Sequence, residues 1–278
     1  DRAVEMAGGF LSRLMNRGPL VSVVRLQGMI APRLSRNSQA LSLERVEPFI
    51  AKAFKVKPAA VALEINSPGG SAAQSDLIQR RITNLSKETG IPVYSFAEDY
   101  AASGGYWLMC AGQELYALPV SLVGSIGVIG SSFGFAELIK RWGIERREFK
   151  AGECKSLQDP FQPLTDQARG RVQALLTDLH EPFKDLVRES RGDKLDLSQG
   201  GKIFEAEVFT GAKAAQNGLV DGVGSLREVM REKLGDKVRF RVFDPKASRL
   251  GLPRLPSLGE AALDVLRVVE ERQAFARH

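Results

Sequence analysis

The sequence predicts an α/β fold in which most strands are parallel. Short apolar runs alternate with longer segments whose apolar residues recur at three- and four-residue spacing, the signature of strands followed by amphipathic helices. The run at 59–65 is almost continuously apolar, which is typical of a strand buried on both faces. Turn-forming segments follow several of these strands, where open α/β sheets place their ligand crevices.

Each element follows from its local pattern. Ser42 stands before the first helix as its N-cap, and Pro182 is expected to bend a long helix. A further strand is expected to end near Lys155. The other predicted elements are strand 20–26, helix 42–55, strand 59–65, helix 75–88, strand 92–97, a helix opening at Ser103, strand 114–118, helix 165–191, strand 203–209, helix 212–217 and helix 226–234.

The pattern divides the chain into three parts. Residues 1–19 form an amphipathic N-terminal lead, and residues 20–243 form the main domain. Residues 244–278 combine a proline-containing linker with a terminal amphipathic helix at 261–276.

The composition limits the possible functions. Hydrophobic residues make up 44% of 278 residues and charged residues 26%, as in a soluble globular protein. The net charge of +6 includes a basic cluster at 141–150, but this is not an aromatic-rich platform, so no nucleic-acid partner is expected. Peripheral contact with a membrane is plausible for a basic chain with an amphipathic lead.

The chain has no apolar run of about 18 residues, so no membrane span is predicted. It begins at Asp1 rather than Met, which is compatible with removal of an anchor or targeting segment. We therefore expect membrane association, with the compartment left open.

The scarcity of histidine excludes several kinds of site. The chain contains two histidines, and His180 lies within a helical pattern, where a packed or surface role is expected. A Ser-His-Asp triad would have a single, poorly placed base. A histidine-rich zinc site is equally disfavoured, and Cys110 and Cys154 lack ligand spacing, so no metal is expected.

Ser103 and Lys155 are the strongest candidates for chemistry. Ser103 is followed by two glycines and opens an apolar helix, and Lys155 lies within the segment 152–161. A serine hydroxyl needs a nearby base, and a lysine amine serves as one only when burial disfavours its charge. Ser125 could accept a hydrogen bond from that amine and aim it at the serine.

Two backbone N–H groups could stabilise an oxyanion. Gly104 follows Ser103 at the start of the helix, and Gly70 closes the turn Asn66–Gly70 after a predicted strand. One well-placed donor is worth about 3–4 kcal/mol in acyl transfer.

Each feature has an ordinary reading when taken alone. Ser103 could be a helix N-cap, Asn66–Gly70 a simple turn, and Lys155 a solvated side chain. The glycines at 124–130 lack the spacing of a dinucleotide-binding loop, and Cys154 has no histidine beside it to suggest a nucleophile. Their occurrence together is what favours a serine hydrolase with a lysine base.

Six segments together resemble the signal peptide peptidase A family of serine peptidases, including its shorter SohB-like members. The resemblance extends over approximately residues 20–240. The matching segments are Asn66–Gly70, Ala-Ala-Ser103-Gly-Gly-Tyr106, Gly124-Ser125-Ile-Gly-Val128, Gly152-x-x-Lys155-Ser156 with Pro160-Phe161, Phe209-Thr-Gly211-x-x-Ala214, and Gly218-Leu-Val-Asp221.

The resemblance implies roles for the candidate residues. Ser103 would be the nucleophile, Lys155 the general base and Ser125 the residue that orients the lysine, while the backbones of Gly70 and Gly104 would form the oxyanion hole. It also implies a Clp protease/crotonase-like fold of stacked βαβ units with a helical arm. The family's short members form ring- or bowl-shaped homo-oligomers, whose active sites can combine residues of neighbouring subunits, and they use no metal or nucleotide cofactor.

Three residues depart from the family pattern. Cys154 replaces a residue that is often aromatic, and Leu157 with Gln158 replaces smaller residues. These changes affect the expected pocket wall rather than the serine–lysine pair.

The leading hypothesis is therefore an ATP-independent serine endopeptidase that cleaves signal peptides or other membrane-derived or unfolded polypeptides. An extended substrate would add as a strand beside the Asn66–Gly70 turn. The alternatives are a crotonase-like acyl-CoA enzyme, which would leave Ser103 and Lys155 without a joint purpose, and a catalytically silent oligomeric scaffold that binds membrane-protein partners.

Overall fold

A computed structural model describes residues 18–33, 39–196 and 202–245. Residues 1–17 of the predicted amphipathic lead, most of the proline-containing linker and the predicted helix at 261–276 lie outside these residues. The strands are β1 (Leu20–Gln27), β2 (Ala60–Ser67), β3 (Val93–Ala102), β4 (Glu114–Ala117), β5 (Leu122–Gly124), β6 (Val208–Thr210), β7 (Gly222–Val223) and β8 (Arg239–Phe243). The helices are α1 (Leu43–Lys55), α2 (Ala72–Thr89), α3 (Gly104–Met109), α4 (Ala136–Arg141), α5 (Asp166–Arg191), α6 (Gly211–Gln216) and α7 (Leu226–Leu234).

The strands form one mixed sheet, in the order β6-β5-β3-β2-β1-β8, with β4 also pairing with β3 and β7 pairing with β4. All pairs are parallel except β5 with β6. The long strand β3 pairs with β4 along its first half and with β5 along its second half. Because parallel strands end at the same edge, the segments after β1, β2, β3 and β5 meet there.

Each face of the sheet buries a separate apolar core. On one face, α1, α2, α3 and part of α5 pack against residues such as Leu63, Ile65 and Val123. On the other face, Met230 and its neighbours in α7 cover Val21 and Val23. The predicted α/β architecture with mainly parallel strands is therefore confirmed.

Two local predictions differ from the structure. The segment 203–209 is not one strand: a 3₁₀ turn at Lys202–Phe204 precedes the short strand β6. No strand leads to Lys155, which lies in a 3₁₀ turn, Glu153–Ser156. The predicted long helix is present as α5, which contains Pro182 and packs Phe183 and Val187 into the core.

A buried ion pair joins the end of α5 to the chain before β7. The side chain of Arg191 is fully buried, and its Nη1 lies 2.8 Å from an oxygen of Asp221. The same carboxylate accepts a hydrogen bond from the Leu115 N–H at 2.8 Å and pairs with Lys194 at 2.6 Å. Burial alone would raise the pKa of Asp221, but these hydrogen bonds and the Arg191 charge outweigh it and lower the pKa to about 2.

The segment 129–164, which we call the exposed arm, contributes little to either core. Its helix α4 has no buried residue. Large apolar side chains stand in solvent along it, including Ile129 (88% exposed), Phe133 (79%), Trp142 (74%) and Phe149 (95%). Such a concentration marks an interaction surface more often than an ordinary monomer surface.

Within the described residues, no helix is both long and apolar enough to cross a membrane.

Candidate active site

Ser103 occupies a strained turn between β3 and α3. Its backbone has φ 53° and ψ −122°, a conformation that residues with a side chain rarely adopt. The strain is held by two hydrogen bonds, because Ser103 N–H donates to the Gly124 carbonyl at 2.8 Å and the Ser103 carbonyl accepts from Trp107 N–H at 3.0 Å. A sharp strand-to-helix turn of this kind presents a nucleophile at the sheet edge in several hydrolases.

The Ser103 hydroxyl does not cap the helix that it precedes. Although Ser103 stands at the N-cap position of α3, its side chain makes no capping hydrogen bond. Serine at this position normally uses its oxygen to accept from the first turn. The hydroxyl is thus left available for chemistry, unlike those of Ser71 and Thr165, which cap their helices.

The Asn66–Gly70 turn lies directly against Ser103. Gly69 and Gly70 have φ values of 101° and 137°, which favour glycine. A Cβ at Gly69 would lie 2.7 Å from the Gly104 nitrogen and 2.8 Å from the Ser103 Cβ. The two glycine segments that were expected to form the oxyanion hole are therefore in contact.

One side of the glycine turn is already paired. Ile30 N–H donates to the Gly69 carbonyl, and the Ile30 carbonyl accepts from Ser71 N–H, both at 2.8 Å. Among the described residues, neither the Gly70 N–H nor the Gly104 N–H donates a hydrogen bond. A free serine hydroxyl can attack a carbonyl carbon, and two free N–H donors on adjoining segments beside it can stabilise the tetrahedral oxyanion that results.

Ser125 also reaches this edge of the sheet. It follows β5, and β5 pairs with the end of β3 so that Gly124 lies opposite Ala102. Its φ of 51° is strained like that of Ser103, and its N–H donates to the Glu207 carbonyl at 2.8 Å. The structure thus places the two predicted site serines at the ends of neighbouring parallel strands.

Lys155 is exposed and lies in the arm. Within the described part of the chain, its amine forms no hydrogen bond or ion pair, so no contact joins it to Ser103 or Ser125. The four other predicted site residues meet at the sheet edge, whereas Lys155 stands in a segment with few contacts to its own subunit.

The surroundings of Lys155 are polar. Lys150 donates to the Ser156 hydroxyl at 2.9 Å, and Arg171 of α5 contacts the Cys154 sulfur. A cavity of about 130 Å³ lies beside this segment; its lining includes Lys150, Ser156 and Arg171. The Phe161 N–H and Arg146 bind Asp159 and lower the pKa of its carboxyl.

His180 was interpreted from sequence as an ordinary packed or surface residue, yet it contacts the site loop. Its Nε2 lies 2.9 Å from the carbonyl oxygen of Ile126, the residue after Ser125. Because a carbonyl oxygen can only accept, the proton lies on Nε2. The spacing of His180, Phe183 and Val187 on one helix face was the available signal for its inward orientation.

Helix α5 therefore contacts three segments of the site. Arg171 contacts Cys154, His180 binds Ile126, and Phe183 stacks on Trp107 of α3 with ring centroids 4.7 Å apart. Within the described residues, no group of histidine, cysteine and carboxylate side chains is arranged to hold a metal ion.

The chain is similar to known peptidases. The model of Peptidase family S49 matches residues 86–238, which include Ser103, Ser125 and Lys155. A Brucella abortus protein named Na(+)/H(+) antiporter NhaA is 43% identical over 97% of this chain but only 39% of its own length. The serine protease SPPA of Arabidopsis thaliana chloroplasts is 28% identical over 90% of this chain and 38% of that protein.

The chain thus spans about two fifths of the length of these relatives. The antiporter name belongs to the whole Brucella protein, whereas the part matched by this chain corresponds to a peptidase family. Among solved structures, a mutant of the 1510-N membrane-bound stomatin-specific protease in complex with a substrate peptide superposes with a TM-score of 0.52. It is 15% identical, and the match covers 90% of this chain and 98% of that one. This likeness shows the Clp protease-like α/β fold. With the family match over more than half of the sequence, the chain belongs to Peptidase family S49, the signal peptide peptidase A family.

Proposed function

We propose that the chain is the catalytic unit of a serine endopeptidase in which Ser103 is the nucleophile and Lys155 the general base. The observation that carries the proposal is the strained Ser103 turn. It leaves the hydroxyl unbonded directly beside the free N–H groups of Gly70 and Gly104. Maintaining that strain has a cost in stability, which a structural N-cap would not require.

The acylation step uses these groups in order. The neutral amine of Lys155 takes the proton of the Ser103 hydroxyl while Oγ forms a bond to the substrate's carbonyl carbon. The carbonyl electron pair moves to oxygen, where the N–H groups of Gly70 and Gly104 stabilise it. As the C–N bond breaks, the Lys155 ammonium donates its proton to the leaving nitrogen, which gives a new amine terminus and an acyl ester on Ser103.

Deacylation repeats the same steps with water. Lys155 takes a proton from water as the oxygen attacks the ester, the oxyanion is stabilised again, and collapse returns the proton to Ser103. The carboxylic acid product then leaves. Ser125, at the neighbouring strand end, accepts a hydrogen bond from the amine and so directs its lone pair toward Ser103.

We further propose that Lys155 reaches Ser103 from a neighbouring subunit of a ring- or bowl-shaped homo-oligomer. Two observations support this. Lys155 is exposed and has no hydrogen-bond or ion-pair partner among the described residues of its own subunit, whereas a lysine base must be withdrawn from water to be neutral. Helix α5 contacts Cys154 through Arg171 and the Ser103 helix through Phe183, and these two residues are twelve apart, about 18 Å along a helix axis. Within one subunit, α5 therefore holds the Lys155 segment and the Ser103 helix at separate points along its length.

The proposed substrates are extended segments of signal peptides or other membrane-derived or unfolded polypeptides, cleaved without ATP or metal. An extended peptide can pair with the glycine turn by main-chain hydrogen bonds, as in other strand-addition complexes. The solved relative is named as a membrane-bound protease with a bound peptide, which supports this substrate class and a place at the membrane.

Hydrolysis of fluorogenic peptides and of an unfolded protein between pH 6 and 10 tests the proposal. The assay compares the wild type with Ser103→Ala and Lys155→Ala. Both substitutions should abolish turnover, and the wild-type rate should rise with pH because the base must lose its proton. An assembled wild type that cleaves nothing would instead favour the scaffold function.

Mixed assemblies test the shared site. When Ser103→Ala and Lys155→Ala subunits are co-assembled, each inactive alone, about a quarter of random interfaces join an intact serine to an intact lysine. Recovery of activity near that level supports a site built between subunits, and no recovery from confirmed mixed oligomers places both residues in one subunit.

A further inference from the structure

The side chain of Ser67 connects three segments beneath the glycine turn. Ser67 is the last residue of β2 and is completely buried. Its hydroxyl donates to the Gly28 carbonyl at 2.7 Å and accepts from the Gly69 N–H at 3.2 Å. A hydroxyl that accepts from the N–H two residues ahead closes a serine turn, which fixes the direction of the following peptide.

The backbone of Ser67 supports the other half of the site. A Cβ at Gly105 would overlap the Ser67 carbonyl oxygen, so α3 packs directly on this residue. Gly69 in turn packs against the Gly104 nitrogen. Ser67 therefore touches both the turn that carries the Gly70 N–H and the helix that carries the Gly104 N–H.

We infer that Ser67 is a positioning residue for the oxyanion hole: its buried hydroxyl holds the Pro68–Gly69 peptide, and through it keeps the following Gly70 N–H at the separation from Gly104 that the tetrahedral intermediate requires. The inference rests on the proposed peptidase function. It assigns Ser67 no contact with the substrate, since the side chain is enclosed by β1, the turn and α3.

The physical reason is that the turn has two kinds of anchor: Ile30 pairs with the Gly69 carbonyl and the Ser71 N–H, and the Ser67 hydroxyl holds the Gly69 N–H. Gly69 and Gly70 both have positive φ and no side chain, so the backbone at Gly69 can shift about the Ile30 anchor once the serine turn is lost. Ser67→Ala leaves the buried Gly69 N–H without an acceptor, and the peptide is expected to turn in search of one. Misplaced donors weaken binding of the oxyanion, which exists only near the transition state, and leave ground-state binding of the peptide nearly unchanged.

The test compares Ser67→Ala with Ser22→Ala in the assembled protein. Ser22 is also completely buried in a strand, and its hydroxyl donates to the Ala53 carbonyl at 2.9 Å, far along the chain from the site. Ser67→Ala loses two hydrogen bonds and Ser22→Ala loses one, so both should lower the thermal midpoint, Ser67→Ala somewhat more. The assays are peptide hydrolysis at a temperature below both transitions and inhibition by a peptide aldehyde, whose adduct with serine carries an oxyanion.

Ser67→Ala should lower kcat by about 10- to 100-fold with KM changed less than about threefold, and should weaken the aldehyde to a similar extent as kcat. Ser67→Cys keeps the size of the side chain and a weak hydrogen bond, so its kcat should lie between those of Ser67→Ala and the wild type. It serves as the test variant if Ser67→Ala does not assemble. Equal kcat values for the Ser67 and Ser22 variants would overturn the inference while the peptidase function stands. A wild type without Ser103-dependent hydrolysis would overturn both.

Discussion

The imidazole of His180 binds the carbonyl oxygen of Ile126 at 2.9 Å, and this contact connects the longest helix to the loop that begins at Ser125. Ile126 is fully buried, so its carbonyl has few other partners available. The same helix stacks Phe183 on Trp107, one turn beyond Ser103. A rigid helix therefore fixes the ends of β3 and β5 relative to each other.

His180→Ala should slow hydrolysis by more than its effect on stability explains. Loss of one hydrogen bond costs about 1 kcal/mol of folding free energy, but a displaced Ser125 loop misdirects the base. Steady-state kinetics and urea unfolding measure the two effects. His180→Gln keeps an N–H donor and should recover most of the rate.

Thr177→Ala provides the control for that prediction. The Thr177 hydroxyl donates to the Gln173 carbonyl at 3.0 Å on the exposed side of the same helix. Its removal should leave kcat unchanged. Equal rates for the His180 and Thr177 variants would show that the histidine contact has no role in the site.

Gly69→Ala is expected to abolish hydrolysis. A methyl group at this position would press on the Gly104 nitrogen and the Ser103 Cβ, and the φ of 101° is unfavourable for alanine. Gly90→Ala is the matched control, because Gly90 also has positive φ, 68°, but its Cβ would meet open space at the end of α2. Thermal unfolding should show a loss of stability in both variants, larger for Gly69→Ala because of the added contacts, and kinetics should show a loss of activity only in Gly69→Ala. Full activity of Gly69→Ala would contradict the proposed close packing.

The sequence predicted part of this sheet edge, because local pattern placed the Asn66–Gly70 turn after a strand and Ser103 at the opening of a helix. Parallel pairing of β2 with β3 brings these two segments together. Strand β5, which brings Ser125 to the same edge, was not predicted. The same reasoning placed Ser42 at the start of α1, although its hydroxyl is buried without the expected capping bond.

The environment of Lys155 could not be predicted in this way. The exposed arm buries few of its apolar residues within its own subunit, so no intrachain periodicity determines its conformation, and a strand was expected where a 3₁₀ turn occurs. The partner of His180 was equally inaccessible, since helix periodicity gives the buried face but not the atom that lies opposite it.

Asp221→Asn should destabilise the fold at neutral pH by about 3–5 kcal/mol, because Arg191 would remain buried without its counter-charge. The pKa of Asp221 is about 2 in the folded state and about 3.9 in an unfolded chain. Since the folded pKa is the lower one, this stabilisation is complete above about pH 4 and is lost as the pH falls toward 2.

Urea unfolding of wild type and variant at several pH values between 2 and 7 measures this effect. The difference between them should shrink below pH 4. Lys194→Ala, which removes the more exposed partner of the same carboxylate, should cost much less. A difference that is constant down to pH 2 would show that the carboxylate does not stabilise Arg191 by its charge.

The two thiols should react very differently. Burial raises the pKa of Cys110 to about 12, whereas Cys154 is exposed beside the guanidinium of Arg171. A chromogenic disulfide reagent should therefore modify one thiol per native chain rapidly and the second only after unfolding. Cys154→Ser should remove the rapid phase. Labelled wild type should lose hydrolysis because the adduct lies next to Lys155, and rapid reaction of Cys110 would contradict the tight packing around α3.

The exposed arm should hold the subunits together. Burying one large apolar side chain in an interface contributes about 1.5–3 kcal/mol, and the arm presents several that are almost fully exposed in a single subunit. Replacing Trp142 and Phe149 together by serine should shift the protein toward smaller species in sedimentation velocity. Activity should fall in parallel with assembly, because Lys155 would no longer meet a neighbour's Ser103.

Val120→Ser removes a similarly exposed apolar residue (79%) outside the arm, and it should leave both assembly and turnover unchanged. A fully active monomer carrying the two arm substitutions would place the complete site within one subunit, and the arm would then need a different partner to cover its apolar surface.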